Sequence, residues 1–260
     1  MLLIKLLQQL INSLAFKNNI PIKKSWGQNF LIDDNTINKI IEIIEPKKND
    51  IILEIGPGHG ALTKKLLSHC KKLYAVEIDP LLCKKLNSEH ENLYLFNEDI
   101  IKWNNRDISY NKIVGNIPYN ISSQIIFKFL NDKWDYMTLM LQKEVAKRIT
   151  SNEGCKEYGR ISVMVQNFCD VTYMCDISKN VFHPKPKVDS GMLLFKRKKT
   201  SINIDNFSLF IKEAFKQRRK KLKNNLKNIC DLKTIEKYAD KRPEQISPKE
   251  YLILFNKIYF

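Results

Sequence analysis

The stretch IILEIGPGHGALTKKLLSHCKKLYAVEID, residues 51–79, carries the clearest structural pattern in the chain. It holds an apolar run, a glycine-rich turn, an amphipathic run and a second apolar run that closes in VEID. Short apolar runs alternating with amphipathic ones predict strand, helix and strand, which is a parallel βαβ unit with a right-handed crossover. This unit is the starting point for the rest of the chain.

The same rhythm continues after residue 79. Strands are predicted at NLYLFNEDI, NKIVGNI and YMTLMLQ, an extended run near ISVMVQNF, and a last strand at DSGMLLFKR. Helices are predicted at PLLCKKLNSE, ISSQIIFKFLND and EVAKRITS. The pattern predicts an α/β fold with an open, doubly wound and mostly parallel sheet.

Two changes in pattern predict the domain organisation. After the charge run KRKK at 196–199, apolar residues recur at helical spacing from Phe207 onward, which predicts a small C-terminal α-helical domain over 200–260 beside an α/β domain over 21–199. The opening run MLLIKLLQQLINSLAF predicts an amphipathic N-terminal helix or extension over 1–20, with an organellar presequence as the alternative. That run is too short and too polar for a membrane span.

Charge and cysteine usage narrow the class of protein. Lys and Arg total 44 against 28 Asp and Glu, a formal net charge of +16. Such a field favours polyanions, although a compositional bias toward Lys, Asn and Ile is an alternative explanation. The 6 cysteines form no Cys-x-x-Cys pair and the 4 histidines are scattered, so we expect no metal site and reduced cysteines in a cytosolic protein.

A cofactor site is predicted at the carboxyl ends of the first three strands of this series. Gly56, Gly58 and Gly60 follow the first strand, where they let the backbone approach a ligand, although a purely structural turn is the alternative. Glu77 closes the second strand and Asp99 the third, so both project beside the glycine turn. The Glu77 carboxylate suits the hydroxyls of a ribose, and Asp99 suits the edge of an adenine ring. A dinucleotide and S-adenosylmethionine both remain possible.

The tetrapeptide Asn116-Ile117-Pro118-Tyr119 follows the fourth strand and distinguishes these ligands. An exocyclic adenine amine becomes a better nucleophile when two acceptors take its hydrogens. The Asn116 side-chain oxygen is one acceptor, and Pro118 fixes the backbone so that the Ile117 carbonyl is the second. Tyr119 offers a flat face for base stacking. A proline turn that caps a strand is the structural alternative.

Together these motifs closely resemble the ribosomal-RNA adenine N6-dimethyltransferases, and in particular the small-subunit enzymes. The resemblance covers about Ile22 to Leu226. It implies a Rossmann-like methyltransferase domain that uses S-adenosylmethionine to dimethylate two adjacent adenosines near the 3′ end of small-subunit ribosomal RNA. The matching motifs are KKSWGQNFLID, EIGPGHGALT, GNIPYNIS, LMLQKEVAKRI, EYGRISV, FHPKPKVDS and FKQRRKKLKNNL.

The resemblance also assigns the cofactor residues. It implies that Asn29 and Leu31 lie against the methionine part and the adenosine, and that Gly56 contacts the methionine moiety. Glu77 is expected to bind the ribose hydroxyls and Asp99 the adenine.

For the target base, the resemblance implies that Asn116 serves both the cofactor pocket and the amine, and that Phe182 sandwiches the flipped base against Tyr119. A core aromatic before a proline turn is the structural alternative for Phe182. We expect direct methyl transfer to N6 without a metal or a covalent enzyme intermediate.

The run KEAFKQRRKKLK, residues 212–223, predicts RNA contacts on a helix, because so many like charges repel one another unless phosphates relieve them. The expected partner is small-subunit ribosomal RNA within a pre-assembled small subunit, with a monomeric, cytoplasmic enzyme and no membrane. Alternatives are a DNA or large-subunit RNA adenine methyltransferase, the latter of the macrolide-resistance type, and a non-catalytic assembly factor. The predicted RNA-binding residues are Lys216, Arg218, Arg219, Lys220, Lys221 and Lys223.

Overall fold

The computed structural model describes residues 21–23, 26–86, 90–104 and 107–259, so the helix predicted over 1–20 lies outside the described residues. The chain packs as two compact units. The first unit contains the described residues up to Lys143 together with Met174–Leu194. The second unit contains Glu144–Tyr173 and the described residues from Phe195 onward.

The described strands form two sheets. A seven-stranded sheet has the order β4-β3-β2-β5-β6-β9-β7, and β1 pairs with β8 in a separate antiparallel ladder. In the large sheet the β4-β3, β3-β2, β2-β5 and β5-β6 pairs are parallel, as predicted. The strands are β1 (Phe30–Leu31), β2 (Ile51–Ile55), β3 (Lys72–Val76), β4 (Leu93–Phe96), β5 (Lys112–Asn116), β6 (Tyr136–Gln142), β7 (Cys169–Ile177), β8 (Phe182–His183) and β9 (Ser190–Arg197).

Helices connect these strands and make up most of the second unit. The α-helices are α1 (Asp34–Ile44), α2 (Thr63–Leu67), α3 (Pro80–Leu86), α4 (Ser122–Leu130), α5 (Lys143–Thr150), α6 (Arg160–Phe168), α7 (Ile204–Ala214), α8 (Leu222–Leu226), α9 (Leu232–Ile235) and α10 (Pro248–Tyr259). Short 3₁₀ turns occur at Lys179–Val181, Glu236–Tyr238 and Pro243–Gln245. Among the described residues no helix is long and apolar enough to cross a bilayer.

The strand order creates a switch point between β2 and β5. From β2 the chain adds β3 and β4 on one side, and it then returns to the other side of β2 to add β5 and β6. Loops that leave β2 and β5 at their carboxyl ends therefore diverge, and a crevice opens between them. Ligand sites in open α/β sheets lie in this crevice.

The first unit has an apolar core beneath that crevice. Ile40, Ile52, Leu66 and Leu73 are fully buried within one cluster that also contains residues of the β1-β8 ladder. Helix α1 begins at a side-chain cap, because the Asp33 carboxylate accepts a hydrogen bond from the Thr36 backbone nitrogen at 2.8 Å.

The structure corrects the prediction for ISVMVQNF. This run forms helix α6 and not an extended segment, and the strand β7 follows it. Helix α6 is buried over Ile161–Val165 and at Phe168, so it lacks the polar face that would show a helical period. A short apolar run without that period does not distinguish a buried helix from a strand.

The second unit is held together by aromatic side chains. Phe207 packs against Phe168, Phe210 and Phe255, with ring centroids 5.6, 6.3 and 5.2 Å away. Phe168 belongs to helix α6, so residues 144–173 pack with the C-terminal helices. The second unit therefore combines residues 144–173 with the chain from Phe195 onward.

Candidate active site

A cavity of about 320 Å³ lies at the switch point of the sheet, within the first unit. The carboxyl ends of β2, β3 and β5 border it, and this volume is typical of small-molecule sites. The site residues predicted from sequence that line it are Asn29, Leu31, Gly56, Glu77, Asp99, Asn116, Ile117, Pro118 and Tyr119.

The glycine loop after β2 requires left-handed backbone. Gly56 has φ of +66° and Gly58 has φ of +58°, values that side chains with a Cβ rarely adopt. A Cβ on Gly56 would meet open space, so this backbone faces the cavity directly. A Cβ on Gly58 would lie 2.9 Å from the Phe30 ring, so this glycine is also required for the close packing of β1 on the loop.

Glu77 connects the glycine loop to the end of β3. Its Oε2 accepts a hydrogen bond from the Gly58 backbone nitrogen at 3.0 Å, and its Oε1 accepts one from the Asp79 backbone nitrogen at 2.9 Å. The side chain is 5% exposed, and burial raises the pKa of its carboxyl against these backbone hydrogen bonds. Each oxygen retains further acceptor capacity for a ligand hydroxyl.

A second buried carboxyl, Glu54, lies on the same cavity wall. Burial raises the pKa of Glu54 to about 7, and the charge of Glu77 adds to the rise against a hydrogen bond from the Thr63 hydroxyl at 2.8 Å. Two buried carboxyls that face one cavity are unfavourable when both are ionised and nothing compensates them. The site is therefore suited to a ligand that carries positive charge.

At the end of β5, the Asn116 side chain is held in one orientation. Its Nδ2 donates a hydrogen bond to the Asn29 backbone carbonyl at 2.8 Å, and the Asn29 side chain donates to the Gly27 carbonyl at 2.9 Å. Because the amide nitrogen of Asn116 is the donor in this contact, its carbonyl oxygen is the acceptor that remains for a bound molecule.

The carbonyl oxygens of the tetrapeptide have different partners. The Pro118 carbonyl accepts from the Ile121 backbone nitrogen at 3.2 Å, and the Tyr119 carbonyl accepts from the Ser122 hydroxyl at 3.2 Å. Among the described residues, no backbone nitrogen donates a hydrogen bond to the Ile117 carbonyl. The oxygen predicted as the second acceptor is therefore the one that local structure leaves for a ligand.

Tyr119 is anchored through its hydroxyl. The phenol oxygen lies 2.9 Å from the hydroxyl oxygen of Ser190, which is fully buried at the start of β9. Burial raises the pKa of the Tyr119 phenol, against the hydrogen bond with Ser190. Ser190 therefore determines where the half-buried ring lies on the cavity wall.

The ladder of β1 and β8 brings residues 30–31 to the cavity. Phe30 is opposite His183 and Leu31 is opposite Phe182. The Phe30 ring packs edge-on against His59, with centroids 4.3 Å apart. Burial, together with the charge of Lys85, lowers the pKa of His59 to about 4, so this ring is neutral at physiological pH.

Of the two remaining predicted residues, Phe182 lies in the core and Asp99 lies on the cavity wall. The Phe182 side chain is 3% exposed in the core cluster and is not part of the cavity lining. Asp99 does line the cavity, and its Oδ1 accepts a hydrogen bond from the Ile101 backbone nitrogen at 2.9 Å, which fixes the turn after β4.

Several residues of the site were not singled out from sequence. Glu54, Asp79, Gln28 and Ser190 contribute hydrogen bonds or charge around the cavity. Glu54 lies near the end of β2, the strand that precedes the glycine turn. Its place near a carboxyl strand end, like that of Glu77, was the signal available from sequence. Nothing in the spacing indicates Gln28 or Ser190, because their partners Asp79 and Tyr119 are distant in sequence.

The basic segment of residues 212–223 is not one helix. Helix α7 ends at Ala214 and α8 begins at Leu222, with turns between them. The Asn225 side chain donates hydrogen bonds to the carbonyls of Ala214 at 2.7 Å and Gln217 at 3.3 Å, which satisfies the end of α7 as the chain turns back.

Most cations of this segment have acidic partners within the second unit. Glu213 lies 3.0 Å from Lys216, and Glu244 lies 3.8 Å from Arg218. Asp240 pairs with Lys221 at 2.8 Å and with Lys223 at 2.9 Å. The exposed side chains of Arg219 and Lys220 make no ion pair with any described residue.

S-Adenosylmethionine fits the residues of the first unit. Its sulfonium and ammonium charges suit the buried Glu54 and Glu77 carboxyls, and the open left-handed backbone at Gly56 allows close approach of a ligand. Among the described residues, no cluster of three or more His, Cys, Asp or Glu could hold a metal ion. Fold and site together define an S-adenosylmethionine-dependent methyltransferase.

Comparison with known proteins agrees with this class. The model of the family described as ribosomal RNA adenine dimethylase matches residues 19–256. A Ribosomal RNA small subunit methyltransferase A of Prosthecochloris aestuarii is 40% identical over 247 residues, covering 92% of this chain and 95% of the relative. The chain therefore belongs to the ribosomal RNA adenine dimethylase family.

Solved structures show the same relationship. A dimethyladenosine transferase from Plasmodium falciparum superposes with a TM-score of 0.79 at 30% identity, covering 88% of this chain and 98% of that one. The 23S rRNA methyltransferase ErmE superposes with a TM-score of 0.69 at 25% identity, covering 88% of this chain and 99% of that one.

Proposed function

We propose that the protein transfers methyl groups from S-adenosylmethionine to the N6 amines of two adjacent adenosines near the 3′ end of small-subunit ribosomal RNA. The observation that carries this proposal is the hydrogen bond from Asn116 to the Asn29 carbonyl, which leaves the amide oxygen of this cavity-lining residue as its acceptor for a ligand. The relative named for the small ribosomal subunit supports the choice of RNA.

The cofactor residues act by binding and orientation. When bound, S-adenosylmethionine supplies an activated methyl group on a sulfonium centre. In this proposal Glu77 binds the ribose hydroxyls, Asp99 the adenine edge, and Gly56, Asn29 and Leu31 the methionine part and the adenosine. All five line the same cavity, which is what a single bound molecule requires.

The target amine is held by two acceptors. The Asn116 side-chain oxygen and the Ile117 carbonyl accept the N6 hydrogens, which localises the lone pair on nitrogen, and Pro118 fixes the backbone between Ile117 and Tyr119. The acceptors also stabilise the positive charge that develops on that nitrogen as its bond to the methyl carbon forms and the bond from that carbon to sulfur breaks, which leaves a neutral thioether; the surplus N6 proton then passes to water. They are attached to β5 and its loop, so they need little reorganisation.

The base itself is held by stacking. Tyr119 supplies one face, with its ring fixed by Ser190. Phe182 supplies the opposite face in this proposal, which requires its ring to leave the core when RNA binds. Substituting Phe182→Leu keeps an apolar core residue but removes the ring. We expect a small loss of thermal stability, because the residue is buried, and a much larger loss of RNA methylation at temperatures where the variant stays folded.

RNA binding is assigned to the basic segment. In this proposal Lys216, Arg218, Lys221 and Lys223 provide a positive field, and the exposed Arg219 and Lys220 contact phosphates directly. Phosphate contacts position the substrate, and specificity comes from RNA shape and from a base taken out of its stack. A pre-assembled small subunit presents such a shape, and a monomeric cytoplasmic enzyme would act on it.

The decisive experiment uses labelled S-adenosylmethionine with small and large ribosomal subunits from a strain that lacks this modification. After digestion of the RNA, we expect label in dimethyladenosine from the small subunit alone. Label in large-subunit RNA would replace the proposal with the large-subunit activity. Binding to particles without any label would favour a non-catalytic assembly role.

A further inference from the structure

Asp79 lies just beyond the strand end that carries Glu77, and it is fully buried without lining the cavity. Its Oδ1 lies 3.1 Å from the Lys23 ammonium and 3.1 Å from the Leu81 backbone nitrogen. Its Oδ2 accepts a hydrogen bond from the Gln28 side chain at 3.0 Å. These contacts join the turn after β3 to a part of the chain more than fifty residues earlier.

Lys23 and Gln28 also contact each other. The Lys23 backbone nitrogen donates to the Gln28 side-chain oxygen at 2.7 Å, and the Lys23 ammonium lies 4.0 Å from the centre of the Trp26 ring. Residues 26–31, hereafter the entry segment, all line the cavity. Asp79 therefore holds one end of a cavity wall without touching a ligand in the cavity.

The other end of the entry segment reaches the target amine site. The Asn29 side chain donates to the Gly27 carbonyl, and the Asn29 carbonyl is the acceptor that orients Asn116. A Cβ on Gly27 would lie 3.3 Å from Pro118, so this part of the segment also packs on the tetrapeptide. The contacts run from Asp79 through Gln28 and Asn29 to Asn116.

The geometry points to Asp79 as a positioning residue that, with Lys23 and Gln28, fixes the entry segment over the cofactor and slows release of the cofactor. Its backbone nitrogen also donates to Glu77, so one residue contacts both the carboxylate proposed to bind the ribose and the entry segment. The inference rests on the proposed ligand, S-adenosylmethionine, and not on which RNA is methylated.

The electrostatics of Asp79 favour this role. Burial disfavours its charged form, yet hydrogen bonds from Gln28 and Lys23 hold the pKa of the Asp79 carboxyl below its usual value. Loss of Lys23 would leave this buried charge without its cation, which costs more than losing one partner of an exposed ion pair. Lys23 itself has a 30% exposed side chain, so it can be changed with little effect on the core.

The test measures dissociation of labelled S-adenosylmethionine from the full-length protein without RNA. We expect Lys23→Ala to speed dissociation about threefold and Asp79→Asn about tenfold, because the second change removes the charge that the segment contacts. Lys23→Arg should dissociate at the wild-type rate, since it keeps the cation. The double variant should be no faster than Asp79→Asn alone, because both changes break one interaction.

Asp176→Asn is the matched control, since it removes the carboxylate of a solvent-exposed pair with Lys143 in the same unit. The inference is overturned when Lys23→Ala dissociates at the wild-type rate, when Asp176→Asn has the same effect as Lys23→Ala, or when Lys23→Arg fails to restore the rate. Should Asp79→Asn not fold, the Lys23 variants decide alone. RNA plays no part in the measurement, so its outcome is independent of the proposed substrate.

Discussion

The amide nitrogen of Asn116 lies 2.8 Å from the backbone carbonyl oxygen of Asn29, so the last residue of a central strand is oriented by a residue 87 positions earlier in the chain. This contact leaves the Asn116 side-chain oxygen as the acceptor that a bound molecule can use. It also joins residue 29 of the cavity wall to the tetrapeptide, so a shift in one is expected to move the other.

We predict that Asn116→Ala lowers kcat by about 10²- to 10³-fold, as removal of one well-placed hydrogen-bonding group in an active site does. Binding to ribosomal particles should change little, because phosphate contacts supply most of that affinity. Methylation assays and particle binding measure the two effects. Equal loss of both would contradict this division of roles.

A matched control for that variant is Asn92→Ala. The Asn92 side chain donates to the Leu67 carbonyl at 3.0 Å, which is the same kind of contact away from the cavity lining. This variant should retain wild-type kcat, with a small decrease in the free energy of unfolding.

The hydrogen bond between Tyr119 and Ser190 predicts that substitutions of these two residues have coupled effects on kcat. Ser190→Ala and Tyr119→Phe should each lower kcat about fivefold, since a single hydrogen bond contributes about 1 kcal/mol. The double variant should be no worse than either single variant, because both remove the same bond. Additive losses in kcat would show that Ser190 does not act through the tyrosine.

Gly58→Ala tests the close packing of the glycine loop. The added Cβ would lie 2.9 Å from the Phe30 ring, so we expect weaker cofactor binding and a loss of about 2 kcal/mol in the free energy of unfolding, as overpacked sites show. Gly154→Ala is the control, because Gly154 also has positive φ, +83°, with no atom within 4 Å of the added Cβ. Titration calorimetry should show unchanged cofactor affinity for Gly154→Ala.

The raised pKa of Glu54 predicts opposite effects of pH on stability and binding. Its folded value of about 7 exceeds the ordinary 4.5, so the native state holds its proton longer than the unfolded chain and stability falls as pH rises through this window. A cationic cofactor favours the ionised carboxyl, so its affinity should rise over the upper part of the same window. Glu54→Gln should remove the part of both slopes that Glu54 contributes and leave the smaller part that comes from the raised pKa of Glu77.

Urea unfolding and cofactor titrations between pH 5 and pH 7.5, bounds set roughly by the two pKa values, measure these slopes. Comparing wild type and Glu54→Gln with one ligand cancels the titration of the ligand itself. His59 contributes in the other direction: its folded pKa of about 4 lies below 6.5, so stability should decline as pH falls from 6.5 toward 4. Identical pH profiles for the wild type and Glu54→Gln would contradict this role of Glu54.

The unpaired cations of the basic segment predict a salt effect. Replacing Arg219 and Lys220 with Ala should reduce the slope of log affinity against log salt by about 1.4 to 1.8, corresponding to two lost phosphate contacts. The matched control replaces Lys221 and Lys223, which already pair with Asp240. Filter binding at several salt concentrations should show a smaller change in slope for the control.

Much of the fold and the cavity could be predicted from local pattern. The parallel strand-helix rhythm placed Gly56, Glu77, Asp99 and Asn116 at neighbouring strand ends, and all four line one cavity. Patterns of this kind are sufficient because side chains at the carboxyl ends of parallel strands share an edge of the sheet. Prediction failed for ISVMVQNF, where burial removes the polar face that identifies a helix.

Sequence alone predicts the parallel sheet, the glycine loop and the position of the tetrapeptide at a strand end, because each depends on neighbouring residues and on strand alternation. The folded structure was needed to show that Asp79 contacts Lys23 and Gln28, that Ser190 hydrogen-bonds Tyr119, and that Phe182 lies in the core. These contacts join residues far apart in the chain. Their partners follow from how the folded chain packs, which no local spacing specifies.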